Sequence, residues 1–197
     1  MKYLKIKRAL ISVTDKSKLI DFARFLADHD VELISTGGTK KKLEQAGLKV
    51  MSVSEITKFP EILNGRVKTL HPHIHAGILA DKDNPDHMET LKRLNIKPFD
   101  LICVNLYNFE GALKKGLKDK ELIEEIDIGG PTLLRAAAKN YHSVAVVPDI
   151  SFYEVVMQEL KANDFSISVG LRKKMAAKVF EITSNYDKLI NKALSED

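Results

Sequence analysis

The chain has 197 residues, of which 44% are hydrophobic and 29% charged, a balance typical of a globular protein. Its net charge is only +4 and 7% of its residues are aromatic, which favours an anionic small-molecule ligand over a dedicated nucleic-acid surface. The single cysteine, Cys103, excludes an internal disulfide, and no stretch approaches membrane-spanning length. We therefore expect a cytoplasmic protein without a nucleic-acid or membrane partner.

Short β-branched runs alternate with helical patterns, as in α/β proteins. In chain order, the patterns predict a strand at 9–13, a helix at 16–28, a strand at 31–34, a helix at 39–46, a strand at 48–53, a helix beginning at 84–85, a strand at 99–106, helices at 119–126 and 132–138, a strand at 143–147, and helices near 152–160 and 169–193. The sequence thus predicts one domain over 1–197, with a three-layer α/β fold: a mainly parallel sheet with helices on both faces.

Two turns that follow predicted strands carry residue types suited to a phosphate. The segment 12–16 places hydroxyls and a lysine at the end of the first strand, and 35–39 opens a helix with paired glycines. Such glycines allow a tight turn whose N–H groups face an anion, and the helix dipole adds to the attraction. The segments contain neither a Walker loop nor a dinucleotide fingerprint. The alternative for 35–39 is an ordinary strand-to-helix turn with Thr39 as N-cap.

The segment 65–77 holds the densest set of functional side chains in the chain. Arg66 offers a planar fork and Lys68 a point charge, which suits an anionic ligand rich in hydroxyls. The alternative is a solvated basic turn leading into a strand.

Three histidines alternate within that segment. His71, His73 and His75 would share one face of a strand, which invites a metal site. Pro72 interrupts such a strand, and no carboxylates or thiolates cluster nearby, so we do not expect a metal.

Polar residues also follow the later strands. Asn105 could read a carboxamide or a ring edge and Tyr107 could donate or relay a proton, although a polar strand end with a solvated tyrosine is the alternative. Asp127 precedes a Gly-Gly-Pro helix start, where it could be a simple cap. Lys139 falls near the end of that helix, where the dipole alone favours a cation.

Six segments, taken in order, resemble one family. They are 12–16 (SVTDK), 35–39 (STGGT), 66–72 (RVKTLHP), 105–107 (NLY), 126–130 (IDIGG) and 135–140 (RAAAKN). Together they resemble the IMP cyclohydrolase domain, which in its family forms the N-terminal part of a bifunctional purine-biosynthesis protein that also has AICAR formyltransferase activity. The segment 183–187 is similar to the family's end-of-domain helix. Asn108 departs from the family, which usually has proline there, and the chain stops where the formyltransferase domain would begin, so we expect that activity to be absent.

The resemblance implies a methylglyoxal-synthase-like fold and the last step of purine synthesis. In that step 5-formamidoimidazole-4-carboxamide ribotide (FAICAR) closes its second ring and loses water to give IMP. An intramolecular closure needs a reactive conformer, donors for an oxyanion and groups that move protons, and it needs neither cofactor nor metal.

The resemblance also implies roles for individual residues. Lys68 should stabilise the oxyanion, while Tyr107, Asp127 and Lys139 should handle protons. The implied substrate contacts are Ser12, Thr14, Asp15, Lys16, Thr36, Gly37, Gly38, Thr39, Arg66, Val67, Thr69, Val104, Asn105, Ile128 and Gly129. Among them, the two turns, Arg66 and Thr69 should hold the phosphate, and Asn105 and the Ile128 backbone should read the base.

The family further suggests a homodimer, and a separate AICAR formyltransferase would supply the substrate. Two other readings remain open. The same fold serves as a nucleotide-sensing regulatory domain in carbamoyl-phosphate synthetase, which needs the phosphate turns but no catalytic residues. It also serves methylglyoxal synthase, although the long motif framework suits a nucleotide better than a triose phosphate.

Overall fold

A computed structural model describes residues 1–195, so the last two residues of the predicted 1–197 domain lie outside the described residues. The strands are β1 (Tyr3–Lys5), β2 (Arg8–Ser12), β3 (Glu32–Ser35), β4 (Met51–Ser52), β5 (Leu101–Val104), β6 (Ala145–Val147) and β7 (Ser166–Ser168). The helices are α1 (Leu19–Ala27), α2 (Gly37–Gln45), α3 (Val53–Thr57), α4 (Pro72–Leu79), α5 (Pro85–Arg93), α6 (Phe109–Lys114), α7 (Asp119–Glu124), α8 (Gly129–Lys139), α9 (Tyr153–Ala162) and α10 (Val169–Ser195). Single 3₁₀ turns lie at Leu63–Gly65 and Ile150–Phe152. Within residues 1–195, no helix combines the length and apolar character needed to cross a membrane.

The main sheet has five parallel strands in the order β4-β3-β2-β5-β6. In the register, Ala9 of the central strand lies between Leu33 and Leu101. Every residue of β5 is buried. Because successive side chains of a strand point to opposite faces, helices must cover both faces of this sheet. The predicted α/β class with a mainly parallel sheet is confirmed.

A second sheet pairs the first strand of the chain with the last. It pairs β1 with β7 antiparallel, with Leu4 opposite Ile167. Nearby, the fully buried Arg172 donates from Nε to the Tyr141 carbonyl at 2.8 Å and from Nη2 to the Met1 carbonyl at 2.8 Å. Burying a guanidinium without hydrogen-bond partners would cost free energy, and these bonds avoid that cost. They also fix the start of α10 against the first strand. The sequence patterns did not predict either of these short strands.

The predicted strand at 48–53 is wrong for most of its length. Only Met51 and Ser52 pair with β3, and a helix follows at once. The cause is a capping box: the Ser52 hydroxyl accepts the Glu55 N–H at 3.1 Å, and the Glu55 carboxylate accepts the Ser52 N–H at 2.6 Å. The S-x-x-E signature at 52–55 is the sequence signal that marks this helix start.

The histidines do not lie on a strand. Pro72, which was expected to interrupt such a strand, instead occupies the first turn of α4, where the missing N–H of proline leaves no helical hydrogen bond unmade. His71 is the N-cap of this helix, and its Nδ1 accepts the His73 N–H at 3.2 Å. His75 lies against the Thr69 carbonyl. The histidines therefore organise the helix start that follows the basic segment.

Candidate active site

A cleft of about 830 Å³ opens at the carboxyl edge of the parallel sheet. Its walls come from the ends of β2 and β5, the starts of α2 and α8, the segment 64–70 and the last turn of α7. Open α/β sheets bind ligands at this edge, where strand ends and helix starts converge. All the site residues predicted from the sequence line this cleft, except Asp15, Gly37, Val67 and Lys139.

One end of the cleft is built to receive an anion. Thr36 is extended, Gly37 takes a φ of +42°, and no side chain caps the first N–H groups of α2. A Cβ added at Gly37 would lie 3.5 Å from Lys68 Nζ, so that ammonium lies close to the helix start. The Ser12 and Thr36 hydroxyls are 2.9 Å apart at the same place. Uncapped N–H groups, the helix dipole and a cation together favour a phosphate.

Two of the predicted contacts shape the cleft by binding backbone. Asn105 Oδ1 accepts the N–H groups of Thr14 at 2.6 Å and Asp15 at 3.2 Å, and its Nδ2 donates to the Asp15 carbonyl at 3.1 Å. Thr39 Oγ1 accepts the Val13 N–H at 3.0 Å and donates to the Val13 carbonyl at 2.9 Å. These bonds hold the loop after β2 in place. That Asn105 reads the base stays a prediction, and most of its amide is already bonded to this loop.

Asp127 lies in the turn that begins α8. Its Oδ1 accepts the Gly130 N–H at 2.8 Å, so the capping role considered from the sequence is present, and the carboxyl also faces the cleft. Burial raises the pKa of Asp127 above its usual value, although hydrogen bonds from the Gly130 and Tyr107 N–H groups and the charge of Lys68 oppose that rise. A Cβ at Gly130 would lie 2.3 Å from Asp127 Oδ2, so a larger residue there would displace the Asp127 carboxyl.

Tyr107 follows β5 and its side chain is 47% exposed in the cleft. Burial of the rest of the ring raises the pKa of its hydroxyl, and the negative charges of Asp127 and Glu125 raise it further. The hydroxyl therefore keeps its proton at neutral pH and can donate it. The Tyr107 N–H bonds the Asp127 carboxyl, and the charge of Lys68 lowers the pKa of that carboxyl. The structure therefore brings these three residues together at one part of the cleft.

Both cations of the basic segment are paired with glutamates. Arg66 forms an ion pair with Glu124 of α7, and Lys68 Nζ lies 3.3 Å from Glu61 Oε1. Glu61 and Glu124 were not among the predicted site residues, since nothing in their spacing along the sequence signals a contact with the cations. Exposed pairs of this kind contribute about 0–1 kcal/mol. A phosphate with two negative charges can replace them.

Four predicted residues lie outside the cleft lining. Asp15 accepts the Ser17 N–H at 2.9 Å, which lowers the pKa of its carboxyl. Gly37 and Val67 adjoin lining residues. Lys139 is different: it is exposed at the last residue of α8, and ten residues of helix, about 15 Å at 1.5 Å each, separate it from Gly129. The expectation that Lys139 joins Lys68, Tyr107 and Asp127 in one cleft is not met within a single chain, because a helix start and a helix end cannot meet.

A metal site in a protein needs several donor side chains close together. Within residues 1–195, no group of three or more His, Cys, Asp or Glu side chains could hold a metal ion. Cys103 is buried in β5 beside the Tyr153 hydroxyl, and burial raises the pKa of its thiol to about 12. A thiol so buried is an inert core residue.

Known proteins are similar to this chain over nearly its whole length. A family model described as the MGS-like domain matches residues 18–132, and one described as the AICARFT/IMPCHase bienzyme matches residues 137–197. The chain is similar to the bifunctional purine biosynthesis protein PurH of Lactobacillus acidophilus, with 54% identity over 97% of this chain and 37% of that protein. It is also similar to PurH of Bradyrhizobium diazoefficiens, with 52% identity over 95% of this chain and 35% of that protein.

A solved structure has the same fold as this chain. The crystal structure of ForH superposes with a TM-score of 0.84 and 28% sequence identity, over 95% of this chain and 96% of that one. The chain thus matches ForH over almost its entire length, whereas it spans little more than a third of the curated PurH relatives.

The raised pKa of Asp127 predicts a pH-dependent stability difference between the native protein and Asp127→Asn. When the pKa of a carboxyl is higher in the folded state than its usual 3.8, the free energy of unfolding falls as pH rises through the folded pKa. We expect the melting temperature of Asp127→Asn, relative to the native protein, to be higher at pH 7 than at pH 3. Thermal unfolding followed by calorimetry between pH 3 and 8 measures this. A difference that does not change with pH would contradict it.

Proposed function

Because the chain belongs to the MGS-like domain family and matches PurH proteins over nearly all its length, we propose that it is an IMP cyclohydrolase. Its substrate would be FAICAR and its product IMP, formed by an intramolecular ring closure that releases water. The observation that carries the proposal is that Lys68, Tyr107 and Asp127 line one cleft together with an uncapped helix start, with the Lys68 ammonium near that start and its charge also acting on Asp127. A module that only binds nucleotides needs the helix start but not this convergence.

The phosphate would bind at the start of α2. Gly38, Thr39 and Lys16 line the cleft, the first N–H groups of α2 have no side-chain cap, and Lys16 Nζ donates to the Thr14 carbonyl at 3.1 Å. Arg66 would exchange Glu124 for a phosphate oxygen, since a bidentate fork suits that geometry. Holding the phosphate there extends the base toward Asp127 and fixes the two reacting groups in contact, which removes much of the entropic part of the barrier.

The ring closure then requires charge stabilisation and two proton movements. The carboxamide nitrogen attacks the formyl carbon, and the carbonyl oxygen gains negative charge that the Lys68 ammonium stabilises. The attacking nitrogen loses a proton, for which the buried Asp127 carboxylate with its raised pKa is the suited acceptor. The oxyanion becomes a hydroxyl by taking the proton that Asp127 received. The hydroxyl then leaves as water with a second proton, which Tyr107, whose raised pKa keeps it protonated, would relay from the formamido nitrogen as that nitrogen forms the new C=N bond. All atoms come from the substrate, so the closure uses no co-reactant.

The protein's setting follows from the same proposal. FAICAR is the product of AICAR formylation, so an AICAR formyltransferase must supply it, and neither a nucleic acid nor a membrane takes part. The buried, unreactive Cys103 supports a cytoplasmic location. We also propose that the active unit is a homodimer, and Lys139 provides the test below.

The proposed activity has a direct test. Purified protein treated with a chelator and given FAICAR, without folate, should form IMP, followed by the ultraviolet absorbance change of ring closure. Binding of IMP without any turnover, by protein whose circular dichroism is that of a folded α/β domain, would instead support a nucleotide-sensing module.

Lys68→Met should lower kcat by ~100- to 1,000-fold, because loss of one oxyanion donor removes about 3–4 kcal/mol of transition-state stabilisation. Its melting temperature should change little, since Lys68 makes only a partly exposed ion pair. The matched control is Lys41→Met, which removes an exposed lysine from α2 and should retain native turnover. If Lys68→Met turned over at the native rate, the oxyanion role would be wrong even with the right reaction.

Lys139 decides whether one chain makes a complete site. If it acts in catalysis, as the family resemblance implies, it must reach the cleft of a second copy, because α8 holds it away from its own. Lys139→Ala should then lose turnover. Refolding Lys139→Ala together with an equal amount of Lys68→Met should restore about a quarter of native activity, because half of the dimers are mixed and each mixed dimer has one intact site. Full activity of Lys139→Ala would remove Lys139 from the mechanism. Loss of activity without restoration would argue against sharing between copies.

A further inference from the structure

The long C-terminal helix α10 reaches the turn that carries Asp127. Its Tyr186 is 8% exposed, and the hydroxyl accepts the Asp127 backbone N–H at 2.8 Å. The same hydroxyl donates to the Glu125 carbonyl at 3.4 Å. One side chain, 59 positions further along the chain, therefore bonds the backbone on both sides of Ile126. No other group of the described residues bonds the Asp127 N–H.

The ring of Tyr186 is fixed independently of its hydroxyl. It packs edge-on against Phe109 of α6, with ring centroids 6.1 Å apart, and shares a small apolar cluster with Ala112 and Leu122 of α7. This cluster is separate from the main core beneath the sheet. Replacing tyrosine by phenylalanine would keep these contacts and remove only the bonds to the turn.

We propose that Tyr186 is a positioning residue that holds the Asp127 turn so that the carboxyl stays aimed into the cleft. The inference rests on the proposed function, since it assigns Tyr186 a part in the proton step of Asp127. Two anchors then fix the carboxylate: Tyr186 holds its backbone, and the Gly130 N–H holds its side chain. Loss of either anchor lets the carboxyl rotate away from the reacting nitrogen, and misplacement by about 1 Å can cost 100-fold in rate.

The groups around the hydroxyl favour its dual bonding. Burial raises the pKa of Tyr186, and the nearby charges of Asp127, Asp187 and Glu125 raise it further, against a lowering effect of the Asp127 N–H. The hydroxyl therefore keeps its proton and can donate to one carbonyl while accepting from one N–H. A tyrosine that only filled the apolar cluster would not need a polar atom there.

Tyr186→Phe tests the proposal, with Tyr3→Phe as matched control because Tyr3 is an exposed tyrosine on β1. We expect kcat for FAICAR closure to fall ~10-fold or more while the dissociation constant for IMP stays within ~2-fold, the split expected when a group acts only in the transition state. The Asp127 amide should exchange its hydrogen ~10-fold faster or more than in the native protein, because its bond partner is gone. Tyr3→Phe should change none of these quantities.

Several results would overturn the inference. One is a native kcat in Tyr186→Phe together with native exchange at Asp127. Another is an equal weakening of IMP binding and kcat, which would indicate general loss of structure. If Tyr186→Phe does not fold, exchange in the native protein decides: the Asp127 amide should exchange ~10-fold slower than that of the exposed Ile128, and equal rates would overturn the hold on the turn. An inactive native protein would refute the proposed function, while the exchange measurements would still decide whether Tyr186 holds the turn.

Discussion

A parallel sheet covered on both faces leaves little room for polar side chains in the middle of its strands. In β5 all four residues are buried, and in β2 only the last, Ser12, is less than buried. Polar chemistry must therefore begin where the strands end, and parallel strands all end at one edge. The cleft exists because this constraint collects Ser12, Thr36 and Asn105 in one place, although they are far apart in sequence. Everything that the site can do follows from that collection.

Charge in the cleft is balanced locally rather than concentrated. The start of α2 is left open to an anion, whereas the start of α8 is capped by Asp127. The two helix starts thus offer opposite environments within one cleft: one attracts negative charge, and the other holds a carboxyl whose pKa is raised by burial. The partner glutamates keep Arg66 and Lys68 pointed inward at little energetic cost. A ligand with a phosphate at one end and a reacting amide at the other matches this polarity.

The sequence predicted the sheet and most of the cleft lining because both depend on local patterns. Buried strands are apolar runs, and paired glycines mark helix starts such as Gly37 and Gly129, even though the predicted helices began two or three residues later. The sequence did not reveal contacts that depend on tertiary packing, such as Tyr186 with Asp127 or Glu124 with Arg66. It also could not show that α8 separates Lys139 from the cleft, because a motif gives order along the chain and not distance across it. The extent of the domain over 1–197 and the roles of the site residues stay predictions.

The pairing of β1 with β7 and the Arg172 bonds have a consequence for how the protein is made. Strand β1 leaves the ribosome before the other strands described here, yet its partner strand and the arginine that binds the Met1 carbonyl emerge only after about 160 further residues. The central strands β2, β3 and β5 can pair well before that point. Closing so long a loop is slow, because the chain loses entropy before the contacts that the closure permits can stabilise the fold. The last of these pairings to form should therefore be that of β1 with β7, and α10, with the tyrosine that bonds the Asp127 turn, is set in place only then.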